Sequence, residues 1–358
     1  MSLTGKSTQP SESRDVDLRD DNRERTKFMK VVQAQKIDSV DDYRIVEVEM
    51  PQPAADQVLL KVHACGMGYV DALVALGRYQ VKPPLPFTPG QEIGAVVEAV
   101  GEAVAHLKVG DRVMASSFGG GLAEYVVVPG SAVESIPEAM SFAQAAAFRV
   151  NYVTALHGLK DRAALQPGER LLVFGAAGAV GAAAIQIGRI LGAEVIAVAS
   201  TAEKRAFAQE QGAQHVLDTE PEGWRERLKD ACAGKGPDVV FDPVCGPLFE
   251  PAFRSQTWGG RHLVVGFAGG PFPKLPVNLP LMKGSSLVGV DVRQFFLFEA
   301  EKARSHLSEL LALVGSNKLQ PPVGRRFPFG DFAEAMQFAT SGQGIGKTII
   351  DVEGESAR

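Results

Sequence analysis

Two kinds of apolar patterning divide the chain. From residue 29 to about 130 the apolar runs are short and broken by glycine and proline. They predict strands at 31–34, 43–48, 57–64, 93–100, 112–115 and 123–128, with 57–64 alternating like a half-buried strand. A short helix at 71–76 ends at Gly77. Turns fall at Gly101, Gly110-Asp111, 119–121 and Pro129-Gly130, the punctuation of a β-rich, barrel-like unit. Residues 141–160 predict helix in two pieces, with Ser141 as N-cap and an apolar face at 145–148. Beyond them the pattern changes. Apolar runs at 171–174, 195–199, 215–217, 239–242, 261–266 and 286–290 alternate with helical segments at 182–191, 203–211, 222–232 and 246–256. Such alternation predicts a parallel, doubly wound sheet. A helix at 297–314 and short strands in 323–353 around a helix at 331–340 complete the chain. Residues 1–27 are polar, mixed in charge and poor in apolar side chains, and are expected to be a disordered tail.

Within the second region one stretch carries chemistry. Pro167-Gly168 opens it and the buried run 171–174 follows. Then come Gly175, Gly178 and Gly181 at three-residue spacing, a small-residue helix and a second apolar strand. This β-turn-α-β order is the unit that holds a dinucleotide. Its glycines bring the backbone close to a pyrophosphate, and the helix N-terminus offers that anion unpaired N–H groups. Gly175, Ala177, Gly178, Ala179, Val180 and Gly181 are therefore the candidate cradle. The alternative is a glycine-rich helix start in an ordinary α/β protein, since the spacing is GxxGxxG rather than GxGxxG. The second strand ends in Ala199-Ser200-Thr201-Ala202-Glu203-Lys204, without the acid that usually holds a ribose 2′-hydroxyl. A hydroxyl at Ser200 and a cation at Lys204 suit a 2′-phosphate, so NADP(H) is expected over NAD(H). Lys204 as a solvated helix residue is the alternative.

Length and composition narrow the rest. A chain of 358 residues has room for two domains, and 45% hydrophobic with 22% charged residues is ordinary for a globular protein. The formal net charge of -5 gives no electrostatic reason to expect nucleic acid as a partner. Cys65, Cys232 and Cys245 lack paired spacing, which argues against a disulfide framework and a cysteine-rich zinc site. No secretory signal is read at the start, and the apolar stretch 171–199 is broken by glycines, Arg189 and Glu194, so no membrane span is expected. The expected location is the cytoplasm.

Four blocks carry a family resemblance: Val70-Asp-Ala-Leu-Val-Ala-Leu-Gly-Arg-Tyr79, Leu85-Pro-Phe-Thr-Pro-Gly-Gln-Glu-Ile-Gly94, Val109-Gly-Asp-Arg-Val113, and the stretch 168–189 with Gln186 and Arg189. Over about residues 30–352 the chain resembles the zinc-independent quinone oxidoreductase branch of the medium-chain dehydrogenase/reductase superfamily. It departs from the signature at Ala179, where a second adjacent glycine is usual. The resemblance implies a discontinuous GroES-like catalytic domain, 28–150 with 293–358, around a Rossmann NADP-binding domain, 151–292. It also implies a homodimer joined through the edge strand near 286–290. Zinc-dependent relatives place cysteine, His-Glu and cysteine ligands where this chain has Gly68, Gln91-Glu92 and no cysteine in 145–155, so no metal is expected.

Several site residues follow from that resemblance. Tyr79 belongs to a Gly-Arg-Tyr piece like the Gly-x-Tyr of quinone and enoyl-thioester reductases, and is a candidate donor of a hydrogen bond or proton; a plain cleft-rim aromatic is the alternative. Tyr69 follows Gly68 where relatives usually carry Asn then Phe, and is a candidate replacement for the missing polar group, or a packing residue. Asn151 and Thr154 are expected near the nicotinamide ribose, unless they serve only local hydrogen bonding. Gly266, Phe267 and Ala268 would flank the nicotinamide ring, with Val290 and Asp291 beside the carboxamide. Cys65 reads as a buried thiol rather than a nucleophile, and His63, His157 and His262 as structural. The expected activity is NADPH-dependent hydride transfer to a small-molecule quinone or other α,β-unsaturated carbonyl. The alternatives are an enoyl-thioester reductase, with Lys82, Arg149 and Arg293 as candidate rim cations, or a non-catalytic NADPH-binding protein.

Overall fold

A computed structural model describes Met1 and residues 28–353; the polar tail expected at 1–27 lies, except for Met1, outside the described residues. Among the described residues the chain forms three sheets. Phe28–Ala34 and Tyr43–Glu49 make an antiparallel pair. A seven-stranded sheet runs in the spatial order Val323–Pro328, Lys347–Asp351, Gln57–Met67, Glu92–Val100, Arg112–Ser116 and Val133–Ser135, with Tyr125–Pro129 also paired to Gln57–Met67. Strands from both ends of the chain therefore share one sheet. It is antiparallel except where Val323–Pro328 pairs with Lys347–Asp351.

The six-stranded sheet is parallel throughout, in the order His215–Leu217, Glu194–Val198, Arg170–Val173, Val239–Asp242, Arg261–Val264, Ser286–Gly289. Residues 171–173, 195–198 and 239–241 are continuous apolar runs within its inner strands, and Leu171, Leu172, Val195, Ile196, Val239 and Val240 are all buried. Strands covered on both faces read this way. The order reverses between Arg170–Val173 and Val239–Asp242, so the crevice beyond their carboxyl ends is the natural ligand position.

Two expectations are corrected, and one helix is additional. The helix after the glycine turn begins at Ala179, not 182, and runs to Ile190 with Gly178 as an extended N-cap. Its first turn therefore includes Ala179, Val180 and Gly181. The helix expected at 297–314 is two helices, Val292–Phe298 and Ala300–Gly315, separated at Glu299. The first starts early because the Asp291 carboxylate accepts from the Gln294 N–H at 3.1 Å and caps it. The helix Asn278–Lys283, unanticipated in the sequence, contains Pro280 within its first turn, where the missing N–H costs nothing. Among the described residues no helix is long and apolar enough to cross a membrane.

Candidate cofactor and substrate site

The glycine turn is a backbone construction. Gly178 N–H donates to Gly175 O at 2.9 Å, closing the turn before the helix. A Cβ on Gly181 would collide with the Gly175 carbonyl, which is backbone and cannot swing aside. Only glycine lets the first helical turn lie this close to the strand end, leaving the helix N-terminal N–H groups facing the crevice. The opposite lip is formed by two loops that hold each other. Asp242, 1% exposed, accepts from the N–H groups of Val244 and Cys245 at 2.9 and 2.8 Å. Ala268 and Gly269 then donate to the carbonyls of Pro243 and Val244 at 3.2 and 2.8 Å. Gly266, Phe267 and Ala268 are thereby fixed beside the switch point, with Phe267 partly exposed and edge-on to Phe272. Val290 is buried, and its N–H donates to Val264 O at 2.9 Å. One oxygen of the Asp291 carboxylate, Oδ1, accepts the bond that caps its helix.

Asn151 and Thr154 are buried on the helix Arg149–Leu156, and both bond back one turn: Asn151 Nδ2 to Ala147 O at 2.9 Å, Thr154 Oγ1 to Val150 O at 2.5 Å. Ser200 is exposed at the end of its strand. Lys204 is not a free solvated cation here, since its Nζ donates to Gly342 O at 2.5 Å. Arg205, which the sequence did not single out, sends Nη1 to the carbonyls of Ala199 and Ser200 at 3.0 and 3.2 Å. Two cations thus stand at the strand end. Tyr69 is the first residue of the helix Tyr69–Ala75 and is 39% exposed, whereas Tyr79 is half-buried against the core of the seven-stranded sheet. Arg149 is not a rim cation. It donates to Ala132 O at 2.9 Å and lies over the Phe296 ring, and its burial lowers its pKa. Cys65 is fully buried, and burial first, then Asp71, raises its pKa well above a thiol's ordinary value, which leaves it inert.

A buried charge cluster escaped the sequence reading. The ammonium of Lys347 lies 3.0 Å from Glu92 Oε2 and 3.6 Å from Asp71 Oδ2. All three residues are less than a tenth exposed. Each carboxylate has further donors: Val150 N–H to Glu92 Oε1 at 2.8 Å, and the N–H groups of Gly68 and Gln91 to Asp71 at 2.8 and 3.0 Å. Burial alone would lower the Lys347 pKa, but the two carboxylates outweigh it and the pKa is raised. A Cβ at residue 68 would sit 2.8 Å from Lys347 Nζ and 3.1 Å from Asp71 Oδ2. A side chain there would push the ammonium away from its carboxylates, so glycine at 68 follows from the cluster. Next to Lys347, Gly346 N–H donates to Ala177 O at 2.8 Å and ties this segment to the glycine turn.

This architecture, with a glycine turn at the switch point of its parallel sheet, is that of a dinucleotide-dependent oxidoreductase, and comparison with known proteins gives the same answer. Residues 54–138 match the alcohol dehydrogenase GroES-like domain, and residues 179–313 match the zinc-binding dehydrogenase family. The chain is 37% identical over 300 residues to the quinone oxidoreductase-like protein 2 homolog of Nematostella vectensis, covering 83% of this chain and 82% of that one. A probable oxidoreductase from Mycobacterium abscessus superposes with a TM-score of 0.83 at 35% identity, covering 91% of this chain and all of that one. A mycobacterial protein solved in complex with NADPH superposes with a TM-score of 0.82 at 28% identity, covering 90% of this chain and all of that one. The chain belongs to the quinone oxidoreductase branch of the medium-chain dehydrogenase/reductase superfamily, and it is an NAD(P)-dependent oxidoreductase.

Proposed function

We propose that this protein is an NADPH-dependent reductase that transfers hydride to quinones or other α,β-unsaturated carbonyl compounds without zinc. The observation that carries the reading is the cluster of Lys347, Glu92 and Asp71. At the positions that resemble the zinc site of metal-dependent relatives, Gly68 has no ligand atom and Glu92 is already held by Val150 N–H and the Lys347 ammonium. A dication there would face a buried cation, and the donor set falls short of three or four ligands. Substrates that need no Lewis acid fit such a site, because a conjugated carbonyl or quinone is already electrophilic.

The nicotinamide cofactor, when bound, supplies the hydride. The chain's part is to hold and orient. Gly175, Ala177, Gly178, Ala179, Val180 and Gly181 receive the pyrophosphate, and Ser200, Lys204 and Arg205 the 2′-phosphate. Lys204 exchanges the Gly342 carbonyl for that anion. Asn151 and Thr154 face the nicotinamide ribose, Gly266, Phe267 and Ala268 the ring, and Val290 and Asp291 the carboxamide. Tyr79, with Tyr69 at the rim, donates a hydrogen bond or proton to the oxygen that gains charge. The division into a catalytic domain, 28–150 with 293–358, around a cofactor domain, 151–292, belongs to this reading. So does a homodimer formed through the edge strand Ser286–Gly289: Leu281, Met282, Leu287 and Phe298 stand exposed on or near that edge, a surface that invites pairing. The buried thiols of Cys65, Cys232 and Cys245 suit a reducing location such as the cytoplasm.

The test is oxidation of NADPH and NADH against 1,4-benzoquinone, 9,10-phenanthrenequinone, an alkenal and crotonyl-CoA. Quinone or alkenal turnover with NADPH preferred, unchanged by chelator, is the expected result. Turnover of crotonyl-CoA alone would reassign the protein to enoyl-thioester reduction. NADPH binding without turnover of any acceptor would make it a non-catalytic binder.

A further inference from the structure

Beyond Asn151 and Thr154 the same helix widens into a π turn, His157–Arg162. Such turns are rare and concentrate at functional sites. The wide turn brings His157 Nδ1 within 2.8 Å of Asp161 Oδ2. The helix Ala300–Gly315 brings His306 Nε2 within 2.8 Å of the same oxygen. The three candidate ligand atoms lie within 4.8 Å of one another, and both histidines are buried, 5% and 4% exposed. Phe295 stacks on His157 at 3.8 Å and lies against His306 at 5.7 Å, so packing fixes both ring orientations. Burial holds His157 below an imidazole's ordinary pKa, which leaves the ring neutral. Asp161 lies below the usual carboxylate range. Its burial opposes this, but the donors His157, His306 and Lys302 prevail. Among the described residues, two further charges stand at the rim of the cluster: Lys302 Nζ, 3.0 Å from Asp161 Oδ1, and Glu299, 3.7 Å from Lys302.

We propose that His157, Asp161 and His306 form a binding site for a first-row divalent transition-metal ion, separate from the hydride-transfer site. Two imidazole nitrogens and one carboxylate oxygen are the donor types zinc and its neighbours take, with a solvent-filled fourth position. Coordination through Nδ1 of His157 and Nε2 of His306 needs those two nitrogens free of protons, so that any ring proton sits on the opposite nitrogen. The Lys302 side chain is 45% exposed, so its ammonium can move into water as the ion takes its place. The ion would join the π turn to Ala300–Gly315. Since Arg162 Nε donates to Gly289 O at 3.1 Å, it would also steady the end of the edge strand.

The probe is Co²⁺, titrated into the full chain after chelator treatment. One equivalent should bind with visible d–d absorption, Zn²⁺ should displace it, and saturating Zn²⁺ should raise Tm. H306Q should weaken Co²⁺ binding on the order of 100-fold or more, judged against the loss seen for metal-site partners. K302M, which removes the competing ammonium at an exposed position, should tighten it. No Co²⁺ uptake by the wild-type chain, or binding that neither H306Q nor K302M alters, would overturn the assignment. Circular dichroism establishes that H306Q is folded; if it is not, K302M decides.

Discussion

The glycine turn and the Lys347 cluster lie on either side of one hydrogen bond, Gly346 N–H to Ala177 O, and are built on opposite physics. The turn has no charged side chain. Its specificity comes from backbone N–H groups and from a contact, Gly181 against Gly175 O, that any side chain would forbid. The cluster consists of three charges taken out of water, tolerable because each has a partner and the carboxylates have N–H donors as well. A backbone site is intolerant of added volume and indifferent to pH. A buried charge site is intolerant of losing one member.

The largest effect should come from breaking the charge side. Lys347→Met leaves Glu92 and Asp71 buried and uncompensated, and chemical denaturation should show a loss of about 3–5 kcal/mol. Adding Glu92→Leu should recover part of it, and full additivity would contradict the coupling drawn above. On the backbone side, Gly181→Val should weaken NADPH binding on the order of 100-fold, about 2.7 kcal/mol, read by fluorescence titration. A smaller effect isolates the anion end: Lys204→Ala should weaken NADPH about tenfold and leave NADH unchanged. Equal loss for both cofactors would remove Lys204 from the 2′-phosphate.

The smallest effect concerns pH. The raised pKa of Lys347 means that its contribution is present through neutrality and is lost only as pH rises through the folded value, above the ordinary 10.5. His157 is shifted the other way, chiefly by burial. The unfolded chain takes up a proton near pH 6.5 that the folded chain refuses, so stability falls as pH drops below about 6.5. In metal-free protein His157→Gln should flatten that acid limb of a Tm-versus-pH curve.

This contrast also decides what the sequence could reveal. The glycine turn was legible because everything that makes it is local: three glycines, an apolar strand before and a small-residue helix after. Even so, the helix start was misplaced by three residues, because small residues at 179–181 read as loop until the Gly178 cap is seen. The parallel sheet was legible from its apolar runs. The cluster was not, since Lys347 and Glu92 are 255 positions apart and each alone reads as a surface charge. Gly68 was visible only as a departure from a family pattern; its reason lies in the ammonium beside it. Arg205 was overlooked because its partners are backbone carbonyls, which sequence does not display. His157 and His306 have no ligand spacing along the chain, and the fold brings them together at Asp161.

The bond between Gly346 and Ala177 also bears on the order in which the protein is made. The strands of the parallel sheet, from Arg170 to Gly289, leave the ribosome well before residue 346 exists. The nascent chain can therefore assemble the sheet and the glycine turn while Ala177 O still lacks its partner and Glu92 and Asp71 still lack their cation. Synthesis of Gly346 and the strand Lys347–Asp351 supplies both at once, so a nucleotide pocket braced on its catalytic side exists only once translation has passed that strand.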